Sequence, residues 1–509
     1  MTHSRSRHVH AALAAAALTA SSLFAPAANA QWTCVSLHPP TVPFQSLGYG
    51  GGDGQQVGFA QIGPTVGHFR ASLWSGSAGT WVNLHPTTIG YSIAYAASGG
   101  QQGGAYFPAG FARAALWSGS AASYVDLHPP TLWQSAVTGM RAGQQVGWTI
   151  DVTSHAALWH GTPGSWVDLN PPPTGGFEHT SEAYATDGTH QVGQVVNVGG
   201  VISAALWSGS AASWVNLHPT SMISSWAYGV GDGQQAGVVR VLADGGASHA
   251  ALWTGSAASW VDLHPVGYLN SQAWAVAKGM QVGRVVSSGV AHAALWKGTA
   301  ASFVDLHAFT PSGFVSSEAR SIWTDATGTY IVGSGFSNMT GREEALLWSG
   351  PPPCIAPTIT THPLAQTSCG YSTINLSVAA SGTAPLTYQW RFGAVPINPL
   401  ANPSAATPTL VLVAPRSADA GSYDCVVTNA CGNDTSNPAI LTVCAADINC
   451  DTFIDILDFL DYIDSFGACE AMPGPCAGMS GVEADYNADT IVDILDLLDF
   501  LNDFGTGCV

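Results

Sequence analysis

One phrase, Ala-Ala-Leu-Trp-x-Gly-Ser-Ala-Ala-Ser-Trp-Val-Asp-Leu-His-Pro, returns along this chain of 509 residues, with its first Trp at Trp74, Trp117, Trp159, Trp207, Trp253, Trp296 and Trp348. Seven copies at intervals of 42 to 52 residues mean one supersecondary unit built repeatedly, each burying its apolar face against its neighbours. The copy from Ser181 splits into four β-type runs: Glu182–Ala185, Gln191–Val196, Ala204–Trp207 and Ser213–Leu217. Each is apolar or β-branched and is bounded by Gly, Ser, Asp or Pro, as strand signals require. Four strands per unit at this period predict the blade of a β-propeller, and seven copies predict seven blades over residues 31–353. The seventh copy stops at Leu347-Trp348-Ser349-Gly350, and its missing piece stands at the other end as Cys34-Val35-Ser36-Leu37-His38-Pro39. A linear β-solenoid explains the period but not this complementary truncation. The expectation is therefore a ring in which residues 31–39 pair beside Ala345–Trp348, with Cys34 within disulfide reach of Cys354.

Composition narrows the class. Only 9% of residues are charged, while Gly (58) and Trp (18) are abundant, which suits a mainly β exported protein rich in turns. Residues 1–30 read as a signal peptide: Arg5, Arg7 and His8 precede an Ala/Leu-rich stretch that ends at Ala28-Asn29-Ala30. The apolar run from Ala11 to Phe24 is too short to span a bilayer, and no membrane insertion is expected. Ten cysteines, an even count in a chain of this kind, favour disulfides over metal thiolates. The net charge of −19 argues against nucleic acid as a partner, and residues 446–509 hold 14 Asp and Glu with no Lys or Arg. That concentration points to a cation.

Several repeated residues look chemical but read as structural. The pairs Asp126/His128, Asp262/His264 and Asp305/His307, with Asn83/His85 and Asn216/His218, recur at one position of the unit. Symmetry spreads them apart, so each is expected to end a strand with its imidazole bonded to a neighbouring turn. The Trp residues are expected to be buried wedges. Gly54–Gly58 and Gly143–Gly147, both Gly-Gln-Gln-Val-Gly, and Gln191-Val192-Gly193 are turn-then-strand signals without the helix a phosphate site needs. The order Ser-x-Ala, Gly-x-Gln-Val-Gly, His-Ala-Ala-Leu-Trp (His155–Trp159, His249–Trp253, His292–Trp296), Val-Asp-Leu resembles the HAF-type extracellular repeat. The resemblance covers residues 31–350 and implies a secreted β-propeller, with Ala where that family usually has Phe. Arg70, Arg113, Ser203 or Glu344 replaces the His in other copies, so no shared chemistry is carried by it.

The period stops at Pro351-Pro352-Pro353. In residues 354–444, Leu386-Thr387-Tyr388-Gln389-Trp390 reads as a core strand, and Tyr423 stands two residues before Cys425, where a tyrosine corner belongs. This segment resembles an I-set immunoglobulin domain, a β-sandwich. Val378 occupies the place of the usual partner cysteine, so the resemblance leaves Cys425 free or paired elsewhere and implies a Cys369–Cys431 bridge.

Residues 445–509 carry the sharpest chemistry. Asp447, Asn449, Asp451, Phe453, Asp455 and Asp458 are matched 38 residues later by Asp485, Asn487, Asp489, Ile491, Asp493 and Asp496. Oxygen ligands at loop positions 1, 3, 5, 9 and 12, with the backbone carbonyl of Phe453 or Ile491 at 7, are the spacing that wraps calcium. Two calcium ions are expected, and folding is expected to depend on them because each loop crowds four carboxylates together. A helix follows each loop, with Leu457, Leu460, Ile463 and Phe466, then Leu495, Leu498 and Leu501, at helical spacing. A duplicated loop–helix unit resembles a type I dockerin, a small α-helical pair of EF-hand-like calcium units whose family docks cohesin. It departs from that family at loop position 6, Thr452 and Thr490 in place of Gly, and at Ile456-Leu457 and Ile494-Leu495.

Together these readings predict a secreted or cell-surface binding and scaffold protein with no catalytic residues. Its ring would recognise polysaccharide or protein, and its tail would dock calcium-dependently to a cohesin-like or other envelope protein. Two alternatives stand beside it. One is a purely structural envelope protein. The other is a glycoside hydrolase attached through a dockerin, which needs two unique carboxylates, and only Glu178, Glu182, Glu318, Glu343 and Glu344 escape the repeat.

Overall fold

The computed structural model describes residues 32–86, 90–173, 179–197, 199–369, 372–466, the backbone of 467–470, and residues 486, 492 and 494–508. The expected signal peptide lies outside them. The chain divides into two compact units, Met1–Pro353 and Cys354–Val509. No helix among the described residues is long and apolar enough to cross a membrane.

Each repeat of the first unit makes one antiparallel four-stranded sheet, numbered here 1 to 7 in chain order. In sheet 4 the strands are Thr180–Thr186, Gln191–Val196, Ile202–Trp207 and Val215–Asn216. The fourth strand is shorter than the sequence predicts, because Ala211–Ser213 closes a 3-10 turn instead. In that turn Ser213 Oγ accepts the Ser208 amide at 2.7 Å and donates to the Ser210 carbonyl at 2.6 Å. The small hydroxyl phrase Gly-Ser-Ala-Ala-Ser is thus a side-chain-tied corner. The Gln of each Gln-Val-Gly motif is a second tie: Gln145 Oε1 accepts the Gly161 amide at 2.7 Å and its Nε2 donates to Gly143 O at 3.1 Å. The Gly that follows admits no side chain. A Cβ at Gly147 would stand 1.9 Å from Ala136 O, and its six counterparts from Gly58 to Gly333 are equally crowded, at 1.8 to 2.1 Å.

Sheets pack on one another through the repeated Leu and Trp. Val57, Leu73 and Leu84 of sheet 1 share a cluster with Ala94, Ala97 and Trp117 of sheet 2, and the seven Trp side chains are fully buried. Sheet 7 meets sheet 1 in the same way, with Leu37, Trp323, Val332 and Leu347 against Trp74. The N-terminal strand Thr33–Ser36 supplies the fourth strand of sheet 7, in register Cys34↔Trp348 and Ser36↔Leu346. The expected Cys34–Cys354 bridge does not form: Cys34 is a half-buried free thiol, and Cys354 pairs with Cys431.

In the second unit, Gln366–Cys369, Ala439–Cys444, Gly421–Asn429, Thr387–Phe392 and Val395–Pro396 line up in one sheet, with Gly432–Thr435 on Gly421–Asn429. Thr373–Ser377 pairs with Thr409–Val413, and Thr358–Thr361 with Ala379–Ser381. Trp390 is fully buried in the core, and the Tyr423 hydroxyl donates to Asp419 O at 2.7 Å, the tyrosine-corner contact. This is an immunoglobulin-like β-sandwich. Cys425, in register with Trp390, is free and buried, and burial pushes its thiol up to about 11. The implied Cys369–Cys431 bridge is replaced by Cys354–Cys431, Cys369–Cys450 and Cys444–Cys508. Cys369 reaches past the sandwich because its parallel neighbour Cys444 leads straight into the acidic loop that carries Cys450. Three disulfides mark a chain that folds in an oxidising compartment. Two helices, α1 (Ile456–Glu470) and α2 (Ile494–Thr506), follow the acidic segments, and Tyr462 and Phe500 stack between them at 4.2 Å.

Candidate functional site

The first strand of every sheet slips register against the second at one shared position, between Gly48/Gly50, Ala94/Ala96, Val137/Gly139, Ala183/Ala185, Ala227/Gly229, Ala273/Ala275 and Ala319/Ser321; sheet 5 slips a second time, between Met222 and Ser224. Each shared bulge leaves one residue without a cross-strand partner and re-aims its side chain. The seven residues are Tyr49, Tyr95, Thr138, Tyr184, Tyr228, Trp274 and Arg320, and all line one cavity of about 510 Å³ walled by the first strands of all seven sheets. This structurally repeated position carries Tyr in four sheets and Thr, Trp or Arg in the other three.

These side chains form a layer. Tyr49 and Tyr95 lie 5.4 Å apart between ring centroids, and Tyr184 and Tyr228 5.1 Å apart. The Arg320 guanidinium sits 4.0 Å over the Trp274 ring. Arg320 is also held by Glu318, two residues earlier on the same strand. Glu318 takes Arg284 at 3.2 Å, and Arg284 Nε donates to Gln272 at 3.1 Å. The Tyr184 hydroxyl donates to Glu182 at 2.9 Å. Burial raises the Tyr49, Tyr95 and Tyr184 hydroxyls above their ordinary value and pushes Tyr228 up to about 12, so all four stay neutral donors at physiological pH.

The carboxylates that escape the repeat divide into two groups. Glu182 and Glu318 hold side chains of the cavity layer, and Glu343 has its carboxyl raised by burial and by the nearby charge of Glu318. Glu344 is structural: it takes Ser36 at 2.7 Å, Thr340 at 2.9 Å and Arg342 at 3.1 Å beside the N-terminal strand. Glu178 lies outside the described residues.

The Asp-x-His pairs are indeed strand ends. His128 Nδ1 meets Ser135 Oγ at 2.8 Å and its Nε2 meets Leu132 O at 3.0 Å, while Asp126 caps the His128 amide at 2.9 Å. The other oxygen of Asp126 holds Arg113, as Asp168 holds His155 and Asp262 holds His249, which is why Arg and His exchange there. The Ser was missed as a connector. Ser135 Oγ also accepts the Ala114 amide of the preceding sheet at 2.9 Å, and Ser46, Ser92, Ser181, Ser225, Ser271 and Ser317 do the same.

In the first acidic loop, Asp447 and Asp458 are buried while Phe453 is exposed. Asp447 Oδ1 and Oδ2 accept the amides of Asp451 and Thr452, both at 3.1 Å. Asp458 takes Ile448 at 2.8 Å and Asp455 at 2.9 Å. Asn449 and Asp451 each take the amide two residues on at 2.9 Å, and Asp455 takes Leu457 at 2.8 Å. The oxygens are thus spent on the loop's own backbone, and among the described residues no group of three or more His, Cys, Asp and Glu converges to hold a metal. The donor set, all oxygen and without Cys or His, still suits a hard divalent cation. Burial, with the charges of Asp458 and Asp451 nearby, raises the Asp447 carboxyl. Asp485, Asn487, Asp489, Ile491 and Asp493 of the second loop lie outside the described residues; Asp496 is buried in α2.

No family model matches the chain, and no curated protein does. Among solved structures it is similar to an I-band fragment of titin, at 24% identity over 17% of this chain and 32% of that one, with a TM-score of 0.16. It is similar to Drosophila OTK extracellular domains at 16% identity, 24% and 46% coverage and a TM-score of 0.19. A puromycin hydrolase mutant matches at 10% identity over 60% of this chain and 54% of that one, with a TM-score of 0.42. The chain thus spans about a third to a half of these structures. At such scores the functional reading is left to the geometry of the chain itself.

Proposed function

We propose that this is an exported, non-enzymatic binding protein: a seven-bladed β-propeller of HAF-like repeats that recognises its ligand at the axis, an immunoglobulin-like spacer, and a dockerin-like tail that docks through calcium. The observation that carries the ring's part is the bulge layer, in which Tyr49, Tyr95, Thr138, Tyr184, Tyr228, Trp274 and Arg320 meet around one cavity. Four tyrosines, one Trp, one Thr and one Arg share this position, so the place where the repeat varies is the one that faces the cavity. Pockets that bind small ligands combine aromatic walls with a few convergent polar groups, as this one does. In the tail, Asp447, Asn449, Asp451, Phe453 O, Asp455 and Asp458 would hold one calcium ion, and Asp485, Asn487, Asp489, Ile491 O, Asp493 and Asp496 a second. A bound cation would supply the positive charge that lets the carboxylates share a loop. The hydrogen bonds that Asp447 accepts from the Asp451 and Thr452 amides support this, because they curl the loop around its first ligand.

Thermal shift of the full chain with fractionated extracellular extract tests the recognition role. An active fraction is expected to raise the melting temperature of the wild type and to have little effect on a Tyr184→Ala, Trp274→Ala double variant. An equal shift in both proteins contradicts a ligand at the axis.

A further inference from the structure

We infer that the axial cavity takes a neutral sugar, one or a few residues of an oligosaccharide, seated among the aromatic side chains of the bulge layer. This deepens the proposed recognition role and rests on it. Charge is the first observation. Asp53, Asp187 and Asp232 line the cavity against Arg141, Lys278 and Arg320, three of each sign. Of these, Lys278 is bound to Asp232 at 2.9 Å and Arg320 to Glu318. An ionic ligand would leave water without a net opposite charge to meet it, which is costly. A neutral ligand loses nothing by this balance.

Shape and surface are the second observation. Five of the seven bulge residues are aromatic, and an aromatic ring pairs an apolar face with, in Tyr and Trp, a polar tip. A pyranose has the complementary division: C–H bonds on its faces and hydroxyls around its edge. Glu182, bonded to Tyr184, and the linked set Gln272, Arg284 and Glu318 stand next to the layer, and such side chains can donate to and accept from hydroxyls. Thr138 is the one short side chain of the layer, and its hydroxyl is already spent on Ala183 O at 2.6 Å. A cavity of about 510 Å³ falls in the range of small-ligand sites, roughly 300–1,000 Å³. A quaternary ammonium in an aromatic cage is the competing occupant. It is disfavoured because Arg320 already fills the cation position over Trp274, at 4.0 Å.

The test titrates the full chain with cellohexaose, xylohexaose and mannohexaose, and separately with tetramethylammonium, followed by saturation-transfer NMR and tryptophan fluorescence. At least one hexaose is expected to bind, with affinity lowered roughly tenfold or more by Trp274→Ala. Trp274→Phe, which keeps a ring in place and guards against a folding defect, is expected to retain most of it. Failure of every hexaose, or hexaose binding that Trp274→Ala and Tyr184→Ala both leave unchanged, overturns the sugar assignment. If tetramethylammonium binds instead and Trp274→Ala abolishes it, the sugar class falls while recognition at the axis stands. If nothing binds and extract stabilises wild type and double variant equally, both readings fall.

Discussion

Ser46 and Ala345 are 299 residues apart in sequence, yet the Ala345 amide donates to Ser46 Oγ at 3.1 Å. The same oxygen meets His38 Nδ1 at 2.9 Å. This is the connector that joins Ala114 and His128 through Ser135 between sheets 2 and 3. The contact between sheet 7 and sheet 1 is therefore built from the parts used at the internal contacts, with His38 and the N-terminal strand standing in for a covalent continuation.

It follows that Ser46→Ala and Ser181→Ala should destabilise to similar extents, by about 1–3 kcal/mol each, since both leave a buried amide without its acceptor. Calorimetry of the full chain checks this. A Ser46→Ala variant as stable as wild type beside a destabilised Ser181→Ala would show that the end seam is not a true member of the series.

Removing a repeated wedge should cost more. Trp207 is fully buried among Leu158, Leu169 and Val195, so Trp207→Ala is expected to cost about 3–5 kcal/mol. Denaturant melts of the variant would read the loss as a shift in midpoint.

The strand-end histidines set a pH dependence. Burial lowers His38, His128, His218, His264 and His307 below their ordinary value near 6.5. The unfolded chain then binds protons that the folded chain refuses, so their contribution is present above the unfolded value and is lost as pH falls below it. The melting temperature of the repeat unit should drop on acidification below about pH 6.5, and a His128→Gln, His264→Gln variant should show a shallower drop. A melting temperature that is flat from pH 7 to pH 5 speaks against this.

Thr452 lies at φ 79° in the first loop, a left-handed conformation that costs a β-branched residue about 1–3 kcal/mol. Thr452→Gly should therefore strengthen calcium binding in the full chain. Asp447→Ala should remove it from this loop and lower the calcium stoichiometry by about one ion. Breaking the Cys369–Cys450 bridge should weaken binding as well, because it frees the loop that the cation must order. Isothermal titration with calcium distinguishes these outcomes.

The sheet pattern was legible because it is written seven times: Gln-Val-Gly, Ala-Leu-Trp and Leu-His-Pro each have one physical job, and repetition averages out exceptions. The cavity layer was not, because the Tyr at four of its positions gives way to Thr, Trp and Arg at the other three. Tyr49, Thr138 and Arg320 share only their place three residues after Ser46, Ser135 and Ser317, and the bulge turns that place toward the cavity. A comparison of the copies, position by position, would have exposed it as the slot where the repeat ceases to repeat. The disulfides escaped for a different reason. Cys369 ends the strand Gln366–Cys369 but pairs across into the acidic loop, a contact set by the parallel pairing of Cys369 with Cys444, which spacing alone does not encode.

Hydrogen–deuterium exchange on the full chain with the extract fraction that stabilises it tests the central claim most directly, because it locates the ligand without presupposing its class. Recognition at the axis predicts protection in the bulge segments around Tyr49, Tyr95, Tyr184, Tyr228 and Trp274 in several sheets at once, with the outer strands such as Val215–Asn216 unchanged. Protection confined to outer strands, or to a single sheet, would contradict it.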